Sequence, residues 1–280
     1  MGGDQLSLKL ARLAARLHEV GSVLVAFSGG ADSAFLLAAA VRTLGVEKVA
    51  AATAVSPSLP AAELADATAF AVELGVRHVT PGTDEMSRDG YRANAGNRCY
   101  FCKAELLDVI TPVAQELMLA AVATGTNADD AAAGFRPGIR AAAERQAVTP
   151  LLDAGLTKAE VRRASRDWGL RTSDKPAAAC LSSRIAYGIE ITTGRLARVE
   201  RAESALRSLF RTAGVPVQNL RVRDLGNSAR VEVDAEHVTA VASLPEVRAA
   251  LADFEAVEID PRGFRSGAMN ELLADQERFR

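Results

Sequence analysis

At 280 residues, with 49% hydrophobic and 24% charged side chains, the chain has a globular rather than a disordered or fibrous composition. It is long enough to bury about three-quarters of its extended surface. A net charge of −2, from 33 basic and 35 acidic residues, excludes the broad basic excess of a nucleic-acid or anionic-membrane binder. No run of 18 apolar residues occurs, so no membrane span is expected. Leu10, Leu13, Leu17 and Val20 recur at helical spacing, which reads as an amphipathic first helix and not a signal peptide. A cytoplasmic location is expected. Cys99, Cys102 and Cys180 are the three cysteines. They cannot all pair, and in a reducing compartment they read as chemistry or metal ligands.

In chain order, strands are expected at 22–27, 48–55, 76–80 and 120–124. Helices are expected at 32–44, 60–74, 99–118 and 157–168. Apolar runs alternating with helices predict βαβ units, hence an α/β fold with a parallel sheet covered on both faces. Thr157 and Glu160 form a capping-box pattern, and Gly169 suits a left-handed stop. Beyond Gly188 the texture changes. A long Arg-rich helix over 192–213 precedes strands at 219–223 and 229–233, a helical stretch over 235–252 and a strand at 256–260. The expected organisation is a nucleotide domain over 1–188 and a small α+β substrate-binding and oligomerisation domain over 189–280, in a homo-oligomer.

The strongest local pattern is Ser28-Gly29-Gly30-Ala31-Asp32-Ser33, between the first strand and the first helix of the α/β part. Glycines admit an anion close to the backbone, and a helix start adds N–H donors and partial positive charge. The string lacks the Gly-Lys-Ser/Thr of a Walker A loop and the G-x-G-x-x-G of a dinucleotide fold. It resembles the PP-loop of adenine-nucleotide α-hydrolases, which implies ATP cleavage between the α- and β-phosphates and an adenylate product. Thr53, in the second strand, would present its edge to adenine. Gly125, Thr126, Asn127 and Asp130 follow the fourth strand, where open α/β sheets bind ligands.

Cys99 and Cys102 stand three apart in Arg98-Cys99-Tyr100-Phe101-Cys102-Lys103 and share one side of a helical turn, so one metal or cluster could take both. Cys180 lies in Lys175-Pro176-Ala177-Ala178-Ala179-Cys180-Leu181-Ser182-Ser183-Arg184-Ile185-Ala186-Tyr187-Gly188. The cations Lys175 and Arg184 near it favour a thiolate nucleophile.

Taken in order, Ser28–Ser33, Arg98–Lys103, Gly125–Asp130, Lys175–Gly188 and Gly263-Phe264-Arg265-Ser266-Gly267-Ala268-Met269-Asn270-Glu271 resemble the LarE family of ATP-dependent sulfur transferases over nearly the whole chain. The resemblance implies a small mononucleotide substrate, pyridinium-3,5-biscarboxylic acid mononucleotide. One of its carboxyls would be adenylated and converted to a thiocarboxylate for the nickel-pincer cofactor of lactate racemase. It also implies two sulfur schemes. In one, the cysteine matching Cys180 attacks the adenylate and gives up its sulfur, leaving dehydroalanine. In the other, Cys99, Cys102 and Cys180 hold a [4Fe–4S] cluster whose open iron carries sulfide, and three thiols suit that scheme better.

Arg221 and Arg223, on one strand face, and Arg265 with Ser266 suit the substrate phosphate. Glu232 and Asp260 suit Mg²⁺. Glu200 and Glu203 on the long helix read as solvent-facing. The competing readings are less well served. A tRNA thiolase would want a basic, extended surface, an amide synthetase has no need of a cysteine loop, and a nucleotide sensor leaves the cysteines unexplained.

Overall fold

A computed structural model of the chain describes residues 2–133, 137–176, 179–265 and 267–269. In chain order the elements are α1 (Gly2–Val20), β1 (Val23–Ala26), α2 (Ala31–Leu44), β2 (Val49–Ala52), α3 (Ala61–Glu73), β3 (Arg77–Val79), α4 (Asp89–Arg92), α5 (Arg98–Glu116), β4 (Ala121–Thr124), α6 (Ala128–Ala132), α7 (Pro137–Glu144), α8 (Pro150–Asp153), α9 (Lys158–Asp167), α10 (Thr193–Thr212), β5 (Leu220–Asp224), β6 (Ser228–Val233), α11 (Val238–Ala242), α12 (Glu246–Ala249) and β7 (Ala256–Ile259). They fall into two compact units. One holds the described residues up to Glu85 and from Cys99 to Pro176, the other Met86–Arg98 and those from Ala179 onward. Among the described residues no helix is long and apolar enough to cross a membrane.

In the first unit the sheet order is β3-β2-β1-β4, all parallel. β1 is apolar throughout because both its faces are covered. Alternate residues divide between two cores. Val23, Val25 and Phe27 pack with α2 and with Leu13 and Leu17 of α1, while Leu24 and Ala26 pack with Leu107, Ile110 and Ala114 of α5. Leu13 and Leu17 are 1% and 0% exposed, so each contributes roughly 1.5–3 kcal/mol of burial. The α9 cap forms as its pattern predicts: Glu160 N–H donates to Thr157 Oγ1 at 3.3 Å and Thr157 N–H to Glu160 Oε2 at 2.9 Å. Gly169 closes the turn at φ 71°.

In the second unit α10 lies on the sheet β5-β6-β7, whose first pair is antiparallel and second parallel. Leu206, Phe210, Val222 and Val231 centre its core. The single helical stretch expected over 235–252 is broken into α11 and α12. Pro245, between them, has no N–H to donate and crowds the preceding turn.

The break between units falls ahead of Ala179 rather than at Gly188. The segment after Cys180 is tied to the second unit, with Ala186 N–H donating to Asp224 O at 2.9 Å and Gly188 N–H to Asn94 O at 3.2 Å. Asn94 explains why 86–98 joins that unit. Fully buried, its amide donates to the carbonyls of Ile185, Ala186 and Ile189 at 3.2, 2.8 and 2.9 Å.

Candidate active site

The PP-loop sits between β1 and α2. Gly29 takes φ 71°, which a side chain would strain. Ser33 Oγ donates to Gly30 O at 3.1 Å and accepts from Ser28 N–H at 3.3 Å. The loop is thus held by its own serines. Gly125, just past β4, touches it from the side: a Cβ there would meet Ser33 N at 2.9 Å and Ser33 Cα at 3.0 Å.

Two cavities flank the loop. The larger, about 300 Å³, lies beyond the carboxyl ends of the strands, where a parallel sheet opens. It brings together Ser28, Ser33, Thr53, Gly125, Thr126 and Asp130 from the expected set, with Lys103 added from α5. Burial lowers the Lys103 pKa, with Cys102 acting the other way. The smaller, about 130 Å³, is lined by Ser28, Gly30, Asp32 and Ser33 on one side and by Lys158, Arg162 and Lys175 on the other. Three cations facing a glycine loop at a helix start suit an anion, with Arg162 also donating to the Ser173 and Lys175 carbonyls at 3.0 and 2.9 Å. Lys158 and Arg162 escaped the sequence reading, although their i,i+4 spacing on α9 puts them on one face. Lys175, expected beside Cys180, pairs instead with Glu63 and Asp66 at 2.8 and 3.2 Å.

Asp32 stands in the smaller pocket 3.8 Å from Lys158 Nζ. Burial raises its pKa, and Lys158 opposes that rise. Its Oδ1 and Asn127 Nδ2 are both buried, and the Asn127 amide, acting on the Asp32 carboxylate, also opposes the rise. Asn127 itself caps α6, accepting from Asp130 N–H at 3.0 Å.

Thr53 lines the larger cavity, and His78 of β3 meets its hydroxyl. Thr53 Oγ1 donates to Phe27 O at 2.7 Å and lies 2.8 Å from His78 Nε2. Burial lowers the His78 pKa.

The second unit holds the cysteine loop. Arg184, expected to act on the Cys180 thiol, instead donates to the carbonyls of Ala179 and Cys180 and makes a buried ion pair with Glu203 at 2.9 Å. It is a positioning residue. Glu203 is therefore not solvent-facing; it is 7% exposed. Leu196, Val199, Glu203, Leu206 and Phe210 share one stripe of α10, and that 3-4-3-4 spacing was visible in the sequence. Tyr91 OH lies 2.5 Å from Ser182 Oγ, and Arg98 donates to Ser182 O at 2.9 Å, both unforeseen supports of the loop.

Glu232, expected at Mg²⁺, carries Arg223, whose Nη2 and Nε lie 2.7 and 3.0 Å from the same oxygen. Asp260 carries Arg262 at 3.2 Å. Both carboxylates are taken up by guanidinium groups and neither is an open Mg²⁺ ligand; Asp32, 3.8 Å from Lys158 Nζ, is less tightly paired. Arg223 is neutralised in the same pair and also donates to Ser183 O at 3.1 Å. Arg221 lies over the Phe264 ring at 5.2 Å. Burial, reinforced by the Arg184 charge, pushes its pKa down to about 10. Arg265 is half-buried in the loop after Gly263, and Ser266 lies outside the described residues.

Cys99 is exposed, and Cys102 and Cys180 are half-buried. Among the described residues no three His, Cys, Asp or Glu side chains gather as ligands of one metal. Cys99 and Cys102 belong to the first unit and Cys180 to the second. Three accessible thiols match a [4Fe–4S] cluster in number and kind, but neither unit by itself assembles that ligand set.

A parallel sheet flanked by helices, with Ser28–Ser33 at the end of its first strand, defines the PP-loop ATPase fold. No family model matches the chain. It is 34% identical over 271 residues, 96% of each chain, to the pyridinium-3,5-bisthiocarboxylic acid mononucleotide synthase of Lactiplantibacillus plantarum. It is 42% identical to an uncharacterized protein of Synechocystis, over 96% of this chain and 99% of that one. A third relative, an uncharacterized protein of Methanocaldococcus jannaschii, is 30% identical over about half of each chain. The chain belongs to the LarE family of sulfur transferases, and it is an enzyme.

Proposed function

We propose that the chain uses ATP to adenylate a carboxyl group of pyridinium-3,5-biscarboxylic acid mononucleotide and converts it to a thiocarboxylate through Cys180. The observation that carries this reading is the pair of cavities at the PP-loop: a basic pocket suited to pyrophosphate beside a larger one suited to adenosine. Full-length similarity to a synthase named for the bisthiocarboxylic product supports the substrate.

In this reading Lys158, Arg162 and Lys175 hold the β- and γ-phosphates, and Lys103 faces the α-phosphate. The substrate carboxylate attacks the α-phosphorus and pyrophosphate leaves. Asp32 would hold Mg²⁺, which supplies charge neutralisation of the departing pyrophosphate. Cys180 as thiolate then attacks the acyl carbon and AMP leaves, giving a thioester. Loss of the Cys180 Cα proton and cleavage of its Cβ–S bond release the thiocarboxylate and leave dehydroalanine. Arg184, by holding the carbonyls on either side, fixes the loop that presents the thiol. Arg221, Arg223 and Arg265 are proposed near the substrate phosphate.

A second reading is favoured by the number of thiols, none of them fully buried. Cys99, Cys102 and Cys180 would hold a [4Fe–4S] cluster, which supplies an iron able to carry exogenous sulfide. Anaerobic purification followed by incubation with ATP, Mg²⁺ and the mononucleotide tests both. Pyrophosphate, AMP and thiocarboxylate should appear together. Loss of one H₂S from Cys180 by intact mass marks the first reading, while stoichiometric iron with an unchanged mass marks the second. No pyrophosphate release would refute the adenylation that both share.

A further inference from the structure

A threonine hydroxyl has one proton and two lone pairs. Thr53 Oγ1 is 2.7 Å from the Phe27 carbonyl oxygen, which can only accept, so the proton goes there. His78 Nε2 is 2.8 Å from the same oxygen. With the Thr53 proton already used, His78 must donate, which sets its tautomer as Nε2–H. One lone pair then remains on Thr53 Oγ1. Thr53 is 2% exposed and lines the larger cavity, not the basic pocket. A lone pair there repels phosphate oxygens and can serve only a donor.

We infer that Thr53, locked as an acceptor by Phe27 and His78, selects the nucleotide base by taking a hydrogen from an exocyclic amino group. The inference rests on the ATP reading above and names what reads the adenine. Adenine carries an amino group at C6, and hypoxanthine carries an oxygen there. A 6-oxo purine would set acceptor against acceptor, leaving both unpaired in a desolvated site. That mismatch weakens binding by about 10- to 100-fold. His78 is a positioning residue: its N–H takes one lone pair and so fixes where the other points, while the Phe27 carbonyl holds the proton.

Calorimetric titration of the full chain with ATP and with inosine triphosphate tests this without requiring turnover. The wild type should bind ATP about 10- to 100-fold more tightly. Thr53→Val should bring the two within about threefold by weakening ATP. His78→Gln, which keeps an N–H, should retain the preference, and His78→Phe, which leaves the lone pair unsteered, should reduce it. A merely structural role for His78 would not move this ratio. Equal binding of the two nucleotides by the wild type overturns the inference, and that comparison needs no variant to fold; the hydroxyl would then serve a ribose or nothing. ATP preferred but never cleaved would refute the adenylation reading and leave the base selection standing. No ATP binding would refute both.

Discussion

Asp32 shows at the residue scale how a phosphate loop opposes stability. Burial lifts its carboxyl above the ordinary range. A carboxylate whose folded pKa exceeds its unfolded one weakens the fold when ionised. That penalty is absent below the unfolded pKa and complete above the folded one. Asp32→Asn is therefore expected to raise the melting temperature at neutral pH while abolishing pyrophosphate release. Thermal melts and a coupled pyrophosphate assay check the two halves. A lower melting temperature would show that Lys158, rather than burial, dominates the site. In the wild type, activity should fall on the acid side as pH drops through the raised pKa. Asp32 could be singled out from the motif alone. Its cationic neighbour Lys158 could not, because α9 reaches the loop only through the tertiary fold.

At the element scale the loop depends on how closely β4 and α2 approach. Gly125 has backbone of Ser33 where a Cβ would go, and backbone cannot swing aside as a side chain can. Gly125→Ala should cost about 1–3 kcal/mol in denaturant unfolding and displace the loop, with nucleotide affinity lost as well. Gly138, on α7, is the contrast. A Cβ there would make ordinary contacts of 3.6 Å and beyond, so Gly138→Ala should be neutral or stabilise by about 0.5–1 kcal/mol through helix propensity. Equal destabilisation by both changes would contradict the steric argument. The main βα succession was legible because its apolar runs are short and bounded by turn residues. The missed break at Pro245 and the misread Glu203 have one cause. Apolar spacing marks a helical stripe but not what a proline, or a charge on that stripe, does to the helix.

At the scale of the whole molecule, each unit has its own core and, in the proposed reading, its own part of the chemistry. The two cavities at the PP-loop lie in the first unit, and Cys180 with its supporting residues belongs to the second. Adenylation and sulfur transfer should therefore be separable. Cys180→Ala is expected to release pyrophosphate within about threefold of the wild-type rate in a first turnover, since uniform loss of both steps would imply a shared group. It should form no thiocarboxylate, and the acyl-adenylate should accumulate or hydrolyse slowly to AMP. Pyrophosphate release with undiminished thiocarboxylate would show that another group carries the sulfur. Loss of pyrophosphate release would place Cys180 in the adenylation step instead.

The sequence by itself determined the α/β class, the place of the phosphate loop, the capped α9 helix and the family. These are written in local strings: apolar runs, glycines at turns, a capping box and an ordered set of motifs. Tertiary structure decided which charges face one another. Lys158 and Arg162 join the loop from a distant helix. Arg223 and Glu232 neutralise each other across neighbouring strands, and Arg184 spends its donors on backbone carbonyls and Glu203. Thr53 became an acceptor only when β1 and β3 brought a carbonyl and an imidazole to its hydroxyl. Local strings specify backbone shape, whereas a side chain's partner, and with it the proton or charge it can offer, depends on what the fold brings within hydrogen-bonding distance.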